Sequence, residues 1–477
     1  MRVLLVKPRP DALQFGLAPF FQTEPLGLEY IAAGLKQRNH RVKVLDMRFH
    51  RGSLSSAINS FRPDVLGIAC LHILDAGPTL RVAKEAKSID RNVFIVVGGH
   101  AASAYPQALK ESHSVDALCI GEGERAMPAL CDAIERKQSL NGIPSLALRS
   151  ESGDFLKNNT ERELPDLQGV RIPDRSMVAE YRKNYCCLNY MSIYAVETTR
   201  GCPHKCKFCS VWQFYGGSCR FHEHEAVCRD FVLVGENVFV IDDIFWADSR
   251  RSKELAQMLN RSGIRKNWIL VQSRADIVAQ NPELLEVWRP LARNFDIFFG
   301  FESATASGLD NLNKRMSTSE TVEAVEVARR FGYGVTGNFI IDPAYTREDF
   351  EELWQFVDRH KLYRSGFTIL TPLPGTEFFN QVKDNLHDFD WNHYDLHHLL
   401  WPPRLPVEQF FELYCETWRR SVLNLAGRKK WWNWLTGVRM REIPRLARIL
   451  IRTQKLMNPK LYCSETVDFA RKSPAEF

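Results

Sequence analysis

The 477-residue chain has no uninterrupted apolar run long enough to cross a bilayer as a helix, although 45% of its residues are hydrophobic. The opening segment Met1–Val6 reads as the start of a strand and lacks the architecture of a signal peptide. Together these absences predict a cytoplasmic protein whose twelve cysteines stay reduced. The length and apolar content suit two or three domains, each with its own core.

Glycine patterns that bind nucleotide phosphates are also missing. No G-x-G-x-x-G follows the first predicted strand, and the chain contains no Walker-type loop. A dinucleotide or ATP site is therefore disfavoured. The chain also lacks a recognisable nucleic-acid-binding module, so no nucleic-acid partner is expected.

A loop with three cysteines carries the strongest chemical signal. Cys202, Cys206 and Cys209 are spaced C-x3-C-x2-C and directly follow an apolar, strand-like segment, Ile193–Thr198. Three thiolates are one too few for a closed tetrahedral zinc site. A [4Fe-4S] cluster also takes four ligands, so three cysteines leave one iron open, where S-adenosylmethionine (SAM) can chelate.

Two other interpretations of this loop stay open. The cysteines are ordinary reduced thiols, or they form a zinc knuckle completed by His204, Cys219 or Cys228. The spacing, with Pro203 and Phe208 inside the loop, resembles the radical SAM superfamily. That resemblance implies that the three loop cysteines are the cluster ligands.

Residues 1–150 alternate short apolar runs with helical stretches. The predicted strands are Val3–Lys7, Arg41–Met47, Val65–Cys70, Val93–Gly98 and Ala117–Ile120, with helices such as Leu26–Arg38 and Pro78–Lys87. This alternation predicts an α/β fold with a doubly wound parallel sheet covered on both faces. Ligands of such sheets bind beyond the carboxyl ends of the strands.

Glycine-rich loops follow two of these predicted strands, and glycine lets a ligand approach the backbone closely. Placed ahead of the cysteine loop, they resemble the cobalamin-binding domain of radical SAM enzymes that use both cofactors. The resemblance implies cobalamin contacts at Gly98, Gly99, His100, Gly121, Glu122 and Gly123.

The histidine that coordinates cobalt from below in methionine-synthase-like domains, within a D-x-H-x-x-G motif, has no counterpart here. The equivalent loop, Pro8–Gly16, contains no histidine, so cobalt ligation of that kind is not expected. His72 and His100 lie at predicted strand ends and are the remaining candidates, although histidines at such places are usually ordinary loop residues.

Residues 151–190 contain prolines and many charges without a sustained period, which is typical of an interdomain connector. A second series of strands and helices begins at Ile193. Residues 191–385 are therefore expected to form a partial (β/α) barrel with its site at the carboxyl ends of the strands.

Polar residues stand at these strand ends. By the family resemblance, the SAM contacts are Asp242, Asp243, Arg274, Glu302 and Ser303. Carboxylates suit the ammonium and ribose hydroxyls of SAM, and an arginine suits its carboxylate. The Asp-Asp pair stands where many radical SAM enzymes carry Gly-Gly-Glu. The alternative for each acid is a helix cap or a surface ion pair.

Residues 386–477 are expected to be helical and basic, with helical periods over Glu408–Leu423 and Ile443–Leu456. The segment from Arg419 to Lys460 holds twelve basic residues and one acid, and three tryptophans lie beside its basic run. This composition suits peripheral contact with an anionic membrane surface. A solvated helical face that packs its aromatics on the barrel is the alternative.

Over nearly its whole length the chain resembles cobalamin-dependent radical SAM enzymes. The segments Glu24–Glu29, Cys209–Gly216 and Asn458–Tyr462 most resemble hopanoid C-3 methylases, with bacteriochlorophyll side-chain methyltransferases as close relatives. The resemblance implies methylation of an unactivated carbon of a hydrophobic polycyclic substrate. A 5′-deoxyadenosyl radical would activate that carbon, methylcobalamin would supply the methyl group, and a flavodoxin or ferredoxin would supply electrons.

Two other classes share some of these motifs. Radical cyclisation or C–C bond formation on a lipid or tetrapyrrole would use every motif named above. A non-catalytic cobalamin or metal sensor would need neither the cluster nor Glu302.

Overall fold

The computed structural model describes most of the chain: residues 1–12, 15, 21–110, 112–158, 164, 166–187, 190–388, 390–422, 451, 453–467 and 469. The basic, tryptophan-rich segment of the C-terminal prediction lies outside these residues, as does most of the predicted helix Ile443–Leu456. Among the described helices, none has both the length and the apolar character needed to span a membrane.

The N-terminal region forms a seven-stranded sheet. Its strands are β1 Arg2–Lys7, β3 Arg41–Asp46, β4 Val65–Ala69, β5 Phe94–Gly98, β6 Ala117–Cys119, β7 Leu146–Arg149 and β8 Phe155–Lys157, in the order β3-β1-β4-β5-β6-β7-β8. The first five of these run parallel, which confirms the predicted parallel sheet, and β7 and β8 extend it antiparallel.

Helices cover both faces of this sheet. They are α1 Leu26–Gln37, α2 Leu54–Phe61, α3 Ala76–Ile89, α4 His100–Ala104 and α5 Gly123–Glu135. Alternate residues of β1 enter two different cores, Leu4 and Val6 one of them and Val3 and Leu5 the other. This period of two is the pattern of a strand buried on both sides.

The second large sheet has six parallel strands in chain order, β11-β14-β15-β16-β17-β18. These are β11 Tyr194–Val196, β14 Asn237–Val240, β15 Lys266–Ser273, β16 Ala292–Glu302, β17 Gly334–Ile341 and β18 Ser365–Ile369. An open six-stranded parallel sheet with a helix after most strands agrees with the predicted partial barrel. The helices are α6 Val211–Phe214, α7 His224–Leu233, α8 Ser249–Arg261, α9 Ala275–Gln280, α10 Pro282–Trp288, α11 Ala306–Asn311, α12 Thr318–Arg330, α13 Arg347–His360 and α14 Glu377–Val382.

Short elements complete the described chain. Three two-residue strands, β2 Phe21–Gln22, β9 Cys186–Cys187 and β10 Tyr190–Met191, form a small antiparallel sheet, and β12 Thr199–Arg200 pairs with β13 Arg220–Phe221. Segments of 3₁₀ helix lie at Ile73–Asp75, Pro106–Leu109, Arg175–Asn184, Arg289–Leu291, Lys383–Asn385 and Trp391–His393. The C-terminal helices α15 Val407–Val422 and α16 Pro459–Glu465 pack on the barrel core.

The two sheets share a hydrophobic core. Phe239, Trp268 and Leu270 on the second sheet belong to the same buried cluster as Val3 and Leu5 on the first. The N-terminal domain therefore packs against one face of the barrel sheet, so the carboxyl ends of both sheets are held in a fixed relation.

A buried ionic cluster reinforces this contact. Arg175 Nη1 donates to Glu24 Oε1 (2.6 Å) and Arg175 Nη2 to Asp230 Oδ2 (2.6 Å). Glu24 Oε1 also accepts a hydrogen bond from the Ala195 backbone N–H (2.6 Å). Arg175 thus ties the residue preceding α1 to helix α7 of the barrel.

We expect Arg175→Gln to lower stability by about 3–5 kcal/mol, because the buried Asp230 would lose its cation and Glu24 would keep only Arg182. The matched control is Arg250→Gln, which removes an exposed pair with Glu254 and should change stability little. The thermal unfolding midpoint of each variant measures the effect. Equal midpoints for the two variants would contradict a structural role for Arg175.

Candidate active site

A cavity of about 360 Å³ lies between the two domains, at the carboxyl ends of β4, β5 and β6. Helix α1 closes one side, and Glu197, Arg200 and helix α6 close the other. All six residues predicted to contact cobalamin line this cavity: Gly98, Gly99, His100, Gly121, Glu122 and Gly123.

Glycine backbone shapes the cavity wall. Gly99 has a φ of 119°, and a Cβ there would lie 2.6 Å from the Cys70 carbonyl oxygen. Gly121 also has a positive φ, of 100°. Gly27 borders the cavity, and a Cβ there would meet no atom within 4 Å. Exposed backbone at glycines and mainly apolar walls fit a large cofactor such as cobalamin.

Buried charges hold the rim of the cavity. Arg200 Nη1 lies 3.1 Å from Glu122 Oε1 and donates to Glu124 Oε1 (2.8 Å), while its Nη2 donates to Glu197 Oε2 (2.7 Å). Burial alone would raise the pKa of Glu197. The charge of Arg200 helps to outweigh this effect and to lower the pKa to about 2. Arg220 Nη1 donates to Glu122 Oε2 (3.0 Å). The segment Gly121–Glu124 after β6, named here the cobalamin loop, is therefore bound to β12 and β13 beside the barrel.

The cysteine loop begins at a position that only glycine can occupy. Gly201 has a φ of 94°, and a Cβ there would lie 2.3 Å from the Ser218 carbonyl oxygen. Its backbone N–H donates to Asp243 Oδ2 (2.8 Å). Asp243 thereby fixes the start of the loop at the end of β14.

Later parts of the barrel anchor the rest of the loop. The Lys207 N–H donates to the Leu312 carbonyl oxygen (3.1 Å), and Trp212 Nε1 donates to the Cys206 carbonyl oxygen (3.1 Å). Asn313 Nδ2 donates to the Lys205 carbonyl oxygen (2.6 Å). These contacts hold the loop backbone in one conformation before any metal binds.

The three thiols lie on one loop, with Cys206 buried and Cys202 and Cys209 partly buried. Burial raises the pKa of all three, to about 12 for Cys209. Neighbouring thiolates raise the pKa of Cys202 and Cys209 further. Since iron binds thiolate, cluster assembly must displace these protons. Three cysteines on one loop suit a cluster with one open iron.

Asp242 and Asp243 lie just after β14 but differ in how far their side chains are exposed to solvent. Asp242 is completely buried, and its carboxylate accepts hydrogen bonds from the Thr198 backbone N–H and hydroxyl. Burial raises the pKa of Asp242 to about 7. The Asp243 side chain is open to the crevice, and partial desolvation raises its pKa to about 6. Only Asp243 is placed where a ligand can reach it.

Arg274 is almost fully buried at the end of β15, and only two of its three guanidinium nitrogens have hydrogen-bond partners among the described residues. Its Nε donates to Asp276 Oδ1 (2.9 Å) and its Nη2 to the Lys314 carbonyl oxygen (3.1 Å). The third nitrogen, Nη1, has no hydrogen-bond partner among the described residues. A carboxylate is a natural partner for a buried guanidinium nitrogen in this state.

Glu302 lies at a bulge of β16, where its backbone takes a φ of 61°. Its Oε1 accepts a hydrogen bond from Lys314 Nζ (2.7 Å), and both side chains are buried. The charge of Lys314 lowers the pKa of Cys206, opposing the effect of burial. Lys314 was not predicted, because it follows α11 outside any motif. Ser303 is engaged locally, since its Oγ accepts from the Thr305 N–H (3.1 Å).

His100 joins the cavity to the cysteine loop. Its Nε2 lies 2.8 Å from Ser210 Oγ, and its ring stacks on Phe214 with centroids 4.4 Å apart. Ser210 directly follows the last loop cysteine. His72, the other candidate cobalt ligand, caps a 3₁₀ turn, where its Nδ1 accepts from the Leu74 N–H (3.3 Å).

Replacing Cys202, Cys206 and Cys209 by alanine should abolish iron and sulfide binding but leave cobalamin binding intact, because the cavity is built by other residues. Metal analysis of the reconstituted protein measures its iron, and the visible absorption spectrum measures the bound cobalamin. Cys228→Ala is the matched control, since this helical cysteine packs on the barrel core. Iron retained by the triple variant, or lost in the control, would contradict the ligand assignment.

Asp242→Asn should flatten the pH dependence of stability. The unfolded carboxyl has a pKa of about 3.8 and the folded one about 7. Folded protein therefore holds a proton between these values that unfolded protein releases, so stability falls as pH rises from about 4 to about 7. Unfolding midpoints measured across that range should fall less in the variant than in wild type. An equal fall in both would contradict the assignment.

Comparisons with known proteins agree with the two-domain arrangement. The B12 binding domain family matches residues 17–131, and the Radical SAM superfamily matches residues 196–357. Hopanoid C-3 methylase of Methylococcus capsulatus is 29% identical over 476 residues, covering 98% of this chain and 89% of that protein. Bacteriochlorophyllide d C-8(2)-methyltransferase of Chlorobaculum tepidum is 24% identical, covering 86% and 89%.

The fold has a counterpart among solved structures. The cobalamin-dependent SAM radical enzyme OxsB, with aqua-cobalamin and SAM bound, superimposes with a TM-score of 0.73 over 95% of this chain and 71% of that chain, at 16% identity. One chain therefore carries a B12 binding domain and a Radical SAM domain, and its relatives include methyltransferases, as expected of a cobalamin-dependent radical SAM methyltransferase.

Proposed function

We propose that this enzyme methylates an unactivated carbon of a hydrophobic polycyclic substrate, and that this carbon is C-3 of a hopanoid. One observation carries the proposal: the contact of His100 with Ser210 and Phe214 sets the cobalamin cavity against the cysteine loop. One substrate can therefore face both. Similarity to a hopanoid C-3 methylase over 98% of the chain supports the substrate assignment.

When bound, the cluster with SAM would supply hydrogen-atom abstraction, and cobalamin would supply the methyl group. The chain's own residues would hold these groups. Arg274, whose Nη1 has no hydrogen-bond partner among the described residues, would bind the SAM carboxylate, and the exposed carboxylate of Asp243 would bind the ammonium. Glu302, fixed by Lys314, is available for the ribose hydroxyls.

An apolar recess beside His100 supports a hydrocarbon-like substrate. This recess, about 40 Å³, is lined mainly by apolar side chains that include Leu71, Leu373 and Pro374. Leu71 is 51% exposed, a high value for a large aliphatic side chain next to a cofactor cavity. An apolar group of the substrate in contact with Leu71 would remove this surface from water.

Two further contacts belong to the same proposal. Lys205 and Arg315 are exposed beside the cysteine loop and suit an acidic electron donor such as a flavodoxin or ferredoxin. The basic segment Arg419–Lys460 suits peripheral contact of a cytoplasmic protein with a membrane that holds the lipid substrate.

The proposed domain limits are 1–150, 151–190, 191–385 and 386–477.

The test is turnover by the anaerobically reconstituted enzyme with SAM carrying a deuterated methyl group and a non-methylated hopanoid. We expect a product that gains one labelled methyl at C-3, together with 5′-deoxyadenosine. Bacteriochlorophyllide is offered in a parallel reaction, and Cys206→Ala is the inactive control.

The outcomes separate the reaction from the substrate. Methylated bacteriochlorophyllide with unchanged hopanoid would overturn the substrate assignment alone. Conversion of a substrate without gain of a methyl group would overturn methyl transfer. Absence of 5′-deoxyadenosine with every substrate would contradict radical chemistry altogether.

A further inference from the structure

A group of metal-ligating side chains lies outside the active site, near the C-terminus. One ring nitrogen each from His393 and His398 and one carboxylate oxygen from Glu465 lie within 4.8 Å of one another. His393 is the last residue of the 3₁₀ turn Trp391–His393, and His398 follows it in the chain. Glu465 is the last residue of α16. Residues distant in sequence therefore converge at one point.

His398 carries the key observation. Its Nδ1 lies 2.8 Å from Asp395 Oδ1. Its Nε2 lies 3.4 Å from Glu465 Oε2 but has no hydrogen-bond partner among the described residues, although the residue is only 3% exposed. A buried polar atom without a partner costs about 1–3 kcal/mol. This nitrogen is thus buried close to a carboxylate without being hydrogen-bonded to it, and it is available to a further ligand.

His393 has the same arrangement. Its Nδ1 pairs with Asp388 Oδ2, as the Nδ1 of His398 pairs with Asp395. A carboxylate on one nitrogen of an imidazole orients the ring and makes the other nitrogen a better metal ligand. Two such carboxylate-histidine pairs side by side are the arrangement found around protein-bound metal ions.

We propose that His393, His398 and Glu465 bind a divalent metal ion, with zinc as the expected ion. Two imidazoles and one carboxylate are a ligand set typical of zinc, with water in the fourth position. The imidazole rings stack at 4.4 Å with planes 22° apart. Because nearly parallel rings direct their lone pairs into separate planes, binding of one ion requires the His393 ring, whose side chain is 21% exposed, to turn out of the stack.

The position of the site indicates a structural role. The 3₁₀ turn Trp391–His393 packs against the turn Ile73–Asp75 of the cobalamin-binding domain. An ion bound there would fasten α16 to this junction. The inference does not depend on the substrate of the enzyme.

The test uses the full chain with Cys202, Cys206 and Cys209 replaced by alanine, so that zinc cannot bind the cluster loop. After addition of zinc and desalting, we expect one zinc per chain by mass spectrometry. X-ray absorption should show only nitrogen and oxygen ligands at about 2.0–2.1 Å. Zinc should also raise the unfolding midpoint.

His398→Gln and Glu465→Gln in this background should each lose the zinc and the stabilisation. His360→Gln, which removes a histidine at the end of α13, is the matched control and should keep both. Zinc content unchanged by His398→Gln and Glu465→Gln would overturn the proposal, as would failure to retain zinc. If the triple variant does not fold, the zinc content of zinc-loaded wild type and of its Glu465→Gln variant decides the question. One zinc fewer per chain in the variant supports the site, and equal zinc content overturns it.

Discussion

The structure depends on one buried cation, Arg200, at the boundary of the two domains. It is 5% exposed and lies among three carboxylates, of which Glu122 and Glu124 belong to the cobalamin loop and Glu197 follows β11. Burial of these charges costs free energy, so this group of ion pairs stabilises the fold only while every partner stays in place. The rim of the cofactor cavity and the entrance to the cysteine loop are therefore fixed together.

Two unlike cofactors can meet because both sheets end at the same crevice. Parallel strands place all their carboxyl ends on one edge, and the shared core turns the two edges toward each other. Positive φ angles at Gly99 and Gly201 then let the loops approach without side chains in the way. His100 completes the contact by reaching Ser210, so the distance between the two sites is set by packing inside one chain.

Much of this was predictable from local patterns, and the remainder depends on contacts between distant residues. Short apolar runs that alternate with helical stretches predicted both parallel sheets, and the cysteine spacing predicted the cluster loop. The buried position of Asp242 was not predictable, because its partner Thr198 lies in the distant turn between β11 and β12. Lys314 and Arg200 were missed for the same reason, since nothing in their neighbouring sequence indicates a buried ion pair with a residue elsewhere in the chain. The antiparallel strands β7 and β8 lie in short segments with weak strand patterns.

The most direct test of one crevice shared by both cofactors is the EPR relaxation rate of cob(II)alamin in the fully reconstituted chain. The rate is measured first with the cluster oxidised and diamagnetic, and then with the cluster reduced and paramagnetic. If both cofactors face the same crevice, reduction of the cluster should accelerate cob(II)alamin relaxation through spin coupling. An identical rate in the two states would contradict the arrangement.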